Sequence, residues 1–335
     1  MKSRTKWVRI PRNPSALLLG MSLLCFGVSA VDAAGSTDVS FKMSDEAVQI
    51  TIGEEPFAKY VFRDDEISRP YFCDVYAPGG VEVTRNHPPI EGMDRTDHAT
   101  YHPGLWLTFG DISGADFWRN RASTRHVDFV EEPRGGEGTG GFAVRNDYLS
   151  ADTNNVLCSE ICRYTLHVRP QGYLLIWDSQ FQSTDADFYF GDQEEMGLGV
   201  RVATPICVKN GGEILSSSGL KNESQVWGIQ ADWCDYSGVI QGRRVGVTLM
   251  PSPTNFRRSW FHARDYGLLV ANSFGQNAFT KGEKSKVFVQ KGDTFRLCFG
   301  VLVYGVEDDG DLDRDAVYKD FIETHGLTPP CRIDP

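Results

Sequence analysis

Three histidines, a pair of adjacent carboxylates and two arginines define what chemistry this chain could perform. His98 and His102 stand four residues apart in Asp97-His98-Ala99-Thr100-Tyr101-His102. On a helix that spacing puts both imidazoles on one face, as many metal sites require. Pro103 follows at once, so the pair is expected on a loop or a single turn at the entrance of a strand. Two imidazoles are fewer than the three protein ligands of catalytic zinc, and no cofactor is expected. The alternatives at this pair are a divalent metal or an imidazole that hydrogen-bonds Asp97 and only fixes the loop.

Glu194 and Glu195 lie in Gly191-Asp192-Gln193-Glu194-Glu195-Met196-Gly197-Leu198-Gly199-Val200-Arg201. The glycines let backbone approach closely. On a strand the two carboxylates point to opposite faces, so one of them is expected in a pocket. A half-buried carboxyl acquires a raised pKa suited to acid–base work, whereas a solvated acidic turn would not. A third group comprises Trp227 to Gly238, with Asp235 and Tyr236, and Trp260 to Gly267, with His262, Arg264, Asp265 and Tyr266. Rings that stack on sugar C–H faces beside fixed polar groups are the materials of a carbohydrate site. Trp106 and Trp260 are the expected stacking surfaces. Arg201, Asp235, Tyr236, Arg264, Asp265 and Tyr266 are the expected substrate contacts. The plainer alternative is that the aromatics fill a core and Arg264-Asp265 is a structural ion pair.

Strands must position these groups. Val48, Ile50 and Ile52 alternate with polar neighbours; Tyr173 to Phe181, Val245 to Met250 and Phe295 to Tyr304 are further β-type runs. Period-two alternation punctuated by Gly and Pro indicates antiparallel sheet. Arg134 to Gly141 reads as a long hairpin loop. Only Leu312 to Glu323 has helical character, with Ala316, Val317 and Ile322 as its apolar side. The fold expected is all-β: one large antiparallel β-sandwich over residues 45–335 with one C-terminal helix, preceded by a flexible segment over 31–44.

Residues 1–30 have the layout of a secretory signal peptide. Lys2, Arg4, Lys6, Arg9 and Arg12 precede an apolar run from Ala16 to Val28, and Val28-Ser29-Ala30 offers a cleavage site. An exported protein is expected, with no membrane span after the leader is removed. Removing the five basic residues takes the formal charge from −11 to −16, which excludes nucleic acid as a partner. Seven cysteines remain, an odd number, and most read as small core hydrophobes. Asp308 to Asp313 lacks EF-hand spacing and reads as a solvated acidic loop.

Four stretches together resemble a known pattern. They are Arg69-Pro70-Tyr71-Phe72 with Ala77-Pro78-Gly79-Gly80; Asp97-His98 through His102-Pro103-Gly104-Leu105-Trp106; Glu195 through Arg201; and Asp235-Tyr236-Ser237-Gly238 with Arg264-Asp265-Tyr266-Gly267. In order and spacing they look like the bacterial secreted family of unknown function labelled "methane oxygenase PmoA-like", over roughly residues 45–305. The resemblance implies a β-sandwich of the galactose-mutarotase type. The family pattern His-His-Arg-Gly-Leu-Trp is altered here, where Tyr101, His102 and Pro103 stand, removing a histidine and an arginine. The function expected is an exported carbohydrate-active enzyme acting on a small sugar or glycan. His98, His102 and His262 would exchange protons with Glu194 or Glu195 in mutarotation, elimination or hydrolysis. The alternative is a non-catalytic exported carbohydrate-binding domain.

Overall fold

The computed structural model describes residues 36–307 and 312–325. The expected signal peptide, residues 31–35, the acidic run from Asp308 to Asp311 and Cys331 lie outside the described residues. Every strand pair is antiparallel, and two large sheets carry most of the chain. One has nine strands, in the order Val39–Met43, Ala47–Ile52, Glu55–Val61, Tyr71–Cys73, Leu105–Phe109, Met196–Arg201, Leu268–Asn272, Trp260–Arg264 and Ile229–Gln230. The other has eight: Glu213–Ser216, Cys234–Ile240, Arg243–Pro251, Thr294–Glu307, Gly172–Gln182, Val156–Arg169, Thr139–Leu149 and Ser123–Gly136.

The sheets face one another across an aromatic core. Tyr60 meets Tyr164 with ring centroids 5.1 Å apart, Phe72 meets Trp177 at 5.5 Å, and Phe109 meets Phe181 at 5.5 Å. Phe295, Leu297, Phe299, Val301 and Val303 all enter this core from one strand, as their period-two spacing predicts. The protein is therefore an all-β sandwich. Among the described residues, no helix is long and apolar enough to cross a membrane. Cys158 and Cys162 both face the core, and the six cysteines among the described residues are buried and unpaired.

Two expectations are corrected. Val39–Met43 pairs along its length with Ala47–Ile52, so the segment expected to be flexible contributes an edge strand. The glycine-rich stretch Arg134 to Gly141 is not a loop. Strands run through it on both sides of a tight turn at Glu137-Gly138, where Gly138 takes φ +69°.

The helix Arg314–His325 packs on the outer face of the eight-stranded sheet, two residues displaced from the expected Leu312 to Glu323. Its buried anchor is Phe321, whose ring a Cβ at Gly300 would meet at 2.8 Å. Ala316, expected on the apolar side, is exposed. Asp235, expected to touch substrate, instead ties this helix down. Its carboxylate accepts from Arg314 at 2.9 Å, Tyr304 Oη at 3.1 Å and Thr248 Oγ1 at 2.7 Å, and it is 1% exposed. Removing one partner of a buried ion pair strands the other charge. Arg314→Met is expected to lower unfolding stability in urea by about 3–5 kcal/mol. A loss below about 0.5 kcal/mol, the ordinary range for surface substitutions, would contradict this anchoring.

Candidate active site

Four adjacent strands of the nine-stranded sheet build the floor of the site on the face turned away from the sandwich core. Leu105, Leu107 and Phe109 point into the core, and so do Leu198, Val200, Phe261, Ala263, Leu269 and Ala271. Alternation sends Trp106, Arg201, His262, Arg264 and Leu268 to the other side. Gly199 lies opposite Trp106 in the ladder. A Cβ there would meet the indole at 2.8 Å, so glycine lets Trp106 lie flat on the strand. His102 stacks on Trp106 with centroids 5.2 Å apart and planes 9° apart, and Trp118 closes the edge at 5.8 Å. Glycine, indole and imidazole thus form three layers.

The segment carrying His98 and His102 is a single turn, closed by His102 N–H donating to His98 O at 2.9 Å. His98 takes φ +52°, which is uncommon for a non-glycine residue. Buried guanidinium groups hold the turn in place. Arg85 donates to the carbonyls of Arg95, Asp97, His98 and His102 at 2.8–3.5 Å. Arg69 donates to Tyr101 O at 2.6 Å and to Asn120 Oδ1 at 2.6 Å. Arg201, 1% exposed, donates to Asp97 Oδ1 at 3.0 Å and to His102 Nδ1 at 3.5 Å. Accepting at Nδ1 places the His102 hydrogen on Nε2. Burial, followed by the Arg201 charge, holds the pKa of His102 well below the ordinary imidazole value, so the ring is neutral. Asp97 is held ionised, its pKa lowered to about 2: Arg201 and the His98 hydrogen bond outweigh the cost of its partial burial. Its other oxygen faces His98 Nδ1 at 3.1 Å, leaving His98 Nε2 as the free nitrogen of a half-exposed ring.

A cavity of about 150 Å³ opens above this floor. All five residues expected to do acid–base work line it: His98, His102, Glu194, Glu195 and His262. Arg264 and Tyr266 line it as well. The opposite-face expectation for the two glutamates fails because Glu194 and Glu195 sit in a bend just before the strand Met196–Arg201. Asn272 Nδ2 donates to Gln193 O at 2.8 Å and Glu194 O at 3.2 Å, and Gly110 N–H donates to Glu195 O at 2.9 Å. With the backbone so fixed, both carboxylates reach the cavity. Glu195 pairs with Arg119 at 2.7 Å. Burial, reinforced by the neighbouring Glu195 charge, raises the pKa of Glu194.

His262 is 4% exposed, and its Nδ1 donates to Glu194 O at 3.2 Å. Its Nε2 is therefore an acceptor, and it is buried without a partner. Burial lowers the His262 pKa to about 4, with the Arg264 charge acting in the same direction.

Other expected contacts lie elsewhere. Trp106 is wholly buried beneath His102, so it supports an imidazole and offers no stacking surface. Trp260 stacks on Phe279 outside the cavity lining, at 6.3 Å. Tyr236 lies in the sandwich core, with its hydroxyl donating to Arg264 O at 3.2 Å. Asp265 and Glu223 each donate a backbone N–H to the other's carboxylate, both at 2.9 Å, and the Glu223 carboxylate also accepts from Arg264 at 3.2 Å. Arg264 is thereby poised 3.8 Å from Glu194. Sequence reasoning missed Arg119, Trp118 and Glu223 as parts of the site. Arg119 carried a signal, its i,i+3 pairing with Asp116; Glu223 lies 41 residues from Arg264 and carried none.

Among the described residues, the cluster with metal-ligand spacing is Asp178, Cys298 and His325, distant in the fold from these histidines. Arg296 already fills it, donating to both Asp178 oxygens at 2.7 and 2.8 Å and to His325 Nε2 at 2.7 Å.

His262 gives the site a pH signature. Its folded pKa lies below the ordinary 6.5, so the unfolded chain takes up a proton that the folded protein refuses. Stability is then lost as pH falls from 6.5 to about 4, by on the order of 3 kcal/mol for this group. The stability advantage of the wild type over His262→Gln should shrink by that amount across the window in urea titrations. A gap independent of pH would refute a buried neutral imidazole.

No curated protein matches the chain. Solved structures overlap it only distantly. A protein described as a kojibiose phosphorylase from the human microbiome is 6% identical with a TM-score of 0.35, covering 85% of this chain and 32% of its own; this chain therefore spans about a third of that protein. A galactose mutarotase related enzyme from Lactobacillus acidophilus is 12% identical with a TM-score of 0.32, covering 82% of this chain and 100% of its own. A GalM/aldose epimerase homologue from C. elegans is 10% identical with a TM-score of 0.28, covering 80% and 99%. Similarity at these scores assigns no activity. The PmoA-like label has no counterpart among these matches. Residues 47–321 match DUF6807, described as a family of unknown function, and the chain belongs to that family.

Proposed function

We propose that the chain is an exported carbohydrate-active enzyme that moves protons on a small sugar or glycoside. The observation that carries this reading is His262, which lines a cavity that also holds two carboxylates and whose Nε2 is a buried acceptor without a donor. An unmade buried hydrogen bond costs about 1–3 kcal/mol, and a ligand hydroxyl would supply the missing donor. The cavity, at about 150 Å³, is below the range of roughly 300–1,000 Å³ for drug-sized ligands, so it suits a single sugar ring. The basic and then apolar leader supports export.

His98, oriented by Asp97, takes the proton of a sugar hydroxyl at Nε2. Glu194, whose raised pKa favours its protonated form, delivers a proton to the ring or leaving oxygen. Arg119 and Arg264 bind hydroxyls and hold the two glutamates apart in charge. In mutarotation these two transfers suffice. The anomeric O–H loses its proton, the C1–ring oxygen bond breaks as C1=O forms, the ring oxygen is protonated, and the steps reverse on the other face. Hydrolysis adds a water, and elimination removes a carbon-bound proton instead.

Anomeric exchange and product formation can be followed by NMR across a panel of reducing sugars and glycosides. His98→Ala and Glu194→Gln are each expected to lower turnover by about 10²–10⁴-fold, the usual contribution of a positioned acid or base. Arg163→Ala, on the far sheet, serves as control. Saccharide binding with no turnover in the wild type would favour the non-catalytic binding domain. Turnover unchanged in both variants would sink the acid–base assignment.

A further inference from the structure

Resting on the saccharide reading above, we propose that a second cavity, meeting the first at Tyr266, is an anion subsite. The ligand is then a sugar carrying a carboxylate, sulfate or phosphate. This cavity measures about 340 Å³, more than twice the first, and Tyr266 lines both. Four cationic side chains line it, Arg85, Arg95, Arg201 and Lys209, against one lining carboxylate, Asp94.

Asp94 offsets one of these four charges and is held by neutral donors. Its oxygens are taken by the Thr204 hydroxyl at 2.6 Å, Asn86 Nδ2 at 2.9 Å and Ile90 N–H at 3.0 Å. Asp97 is shared among Arg201 at 3.0 Å, Arg95 at 3.2 Å, Arg85 at 3.9 Å and His98 at 3.1 Å. Two carboxylates, Asp94 and Asp97, against four cations leave positive charge in excess. Arg85 and Arg201 are 2% and 1% exposed, so water screens that charge poorly. Arg85 Nε is buried without a partner.

The two buried guanidinium groups are spent on the loop and supply field, while the outer two supply contacts. Arg95 is about half exposed at the mouth and lies 4.9 Å over the Tyr266 ring, whose other neighbour is Arg201 at 4.5 Å. Lys209 is exposed and makes no ion pair among the described residues. A local concentration of one sign, in a chain of formal charge −11, draws and holds the opposite sign where the ligand enters. Charge-assisted hydrogen bonds from Arg95 and Lys209 would then fix the anion.

The test is calorimetric titration of the purified full-length protein with glucose, glucuronate, glucose 6-sulfate and glucose 6-phosphate, at low and high salt. At least one anionic sugar is expected to bind ~10-fold or more tighter than glucose, equivalent to one charge-assisted contact. That preference should shrink at high salt and collapse towards parity in Lys209→Glu, while Lys319→Glu on the C-terminal helix keeps it. The ranking of the three anions identifies the group. Glucose binding as tightly as all three anions, with the ratio unmoved in Lys209→Glu, overturns the subsite and leaves the saccharide reading standing. Failure of all four sugars to bind overturns both.

Discussion

Three buried arginines hold a turn that its own backbone could not hold. The segment from Arg95 to His102 has no ladder to satisfy its carbonyls, and its last residue, His102, is buried against the sheet. Arg85 alone serves four of those carbonyls, and Arg69 a fifth. Only guanidinium combines five donors in a rigid fork with a charge that survives burial. Lysine at these positions would leave carbonyls unpaired. The placement of His98 and His102, and through Arg201 the neutrality of His102, follow from this framework.

The site lies outside the sandwich. Its inner faces are given to aromatic packing, so the polar groups of the candidate site occupy the outer face of the nine-stranded sheet. There Gly199, Trp106 and His102 rise in layers. The cavity's far wall is the bend at Glu194-Glu195, held by Asn272, His262 and Gly110. Each wall fixes the other: His262 gains its tautomer from Glu194 O, and Glu194 gains its position from that bond. Neutral imidazoles and a carboxyl of raised pKa then share one small space, the division of environments that acid–base work needs.

Much of this was legible in the sequence because it is local. Alternation along Phe295 to Val303 reports a strand with one face in the core, and Pro103 after His102 reports a turn. The five residues that line the cavity could be chosen because reactive types cluster within aromatic segments. What sequence misled about depends on the third dimension. Trp106 has the type of a sugar platform, yet Gly199 lets it sink beneath His102. Asp235 has the type of a substrate ligand, yet it lies on the other sheet, under the C-terminal helix. Glu223 supports the cavity from a position whose neighbours in sequence give no sign of it. The glycines of Arg134 to Gly141 resemble a loop in composition but line strands, because backbone packs against them.

The central claim is that His102 and His262 are neutral, with His262 Nε2 awaiting a ligand hydroxyl. Nitrogen-15 shifts of the imidazoles test it most directly, recorded at about pH 6, near the pKa of a free imidazole, with and without saturating saccharide. The account predicts that both rings carry one hydrogen, on Nε2 in His102 and on Nδ1 in His262. It also predicts that His262 Nε2 moves on ligand addition. Doubly protonated rings, or a His262 Nε2 resonance indifferent to every saccharide that binds, would contradict it.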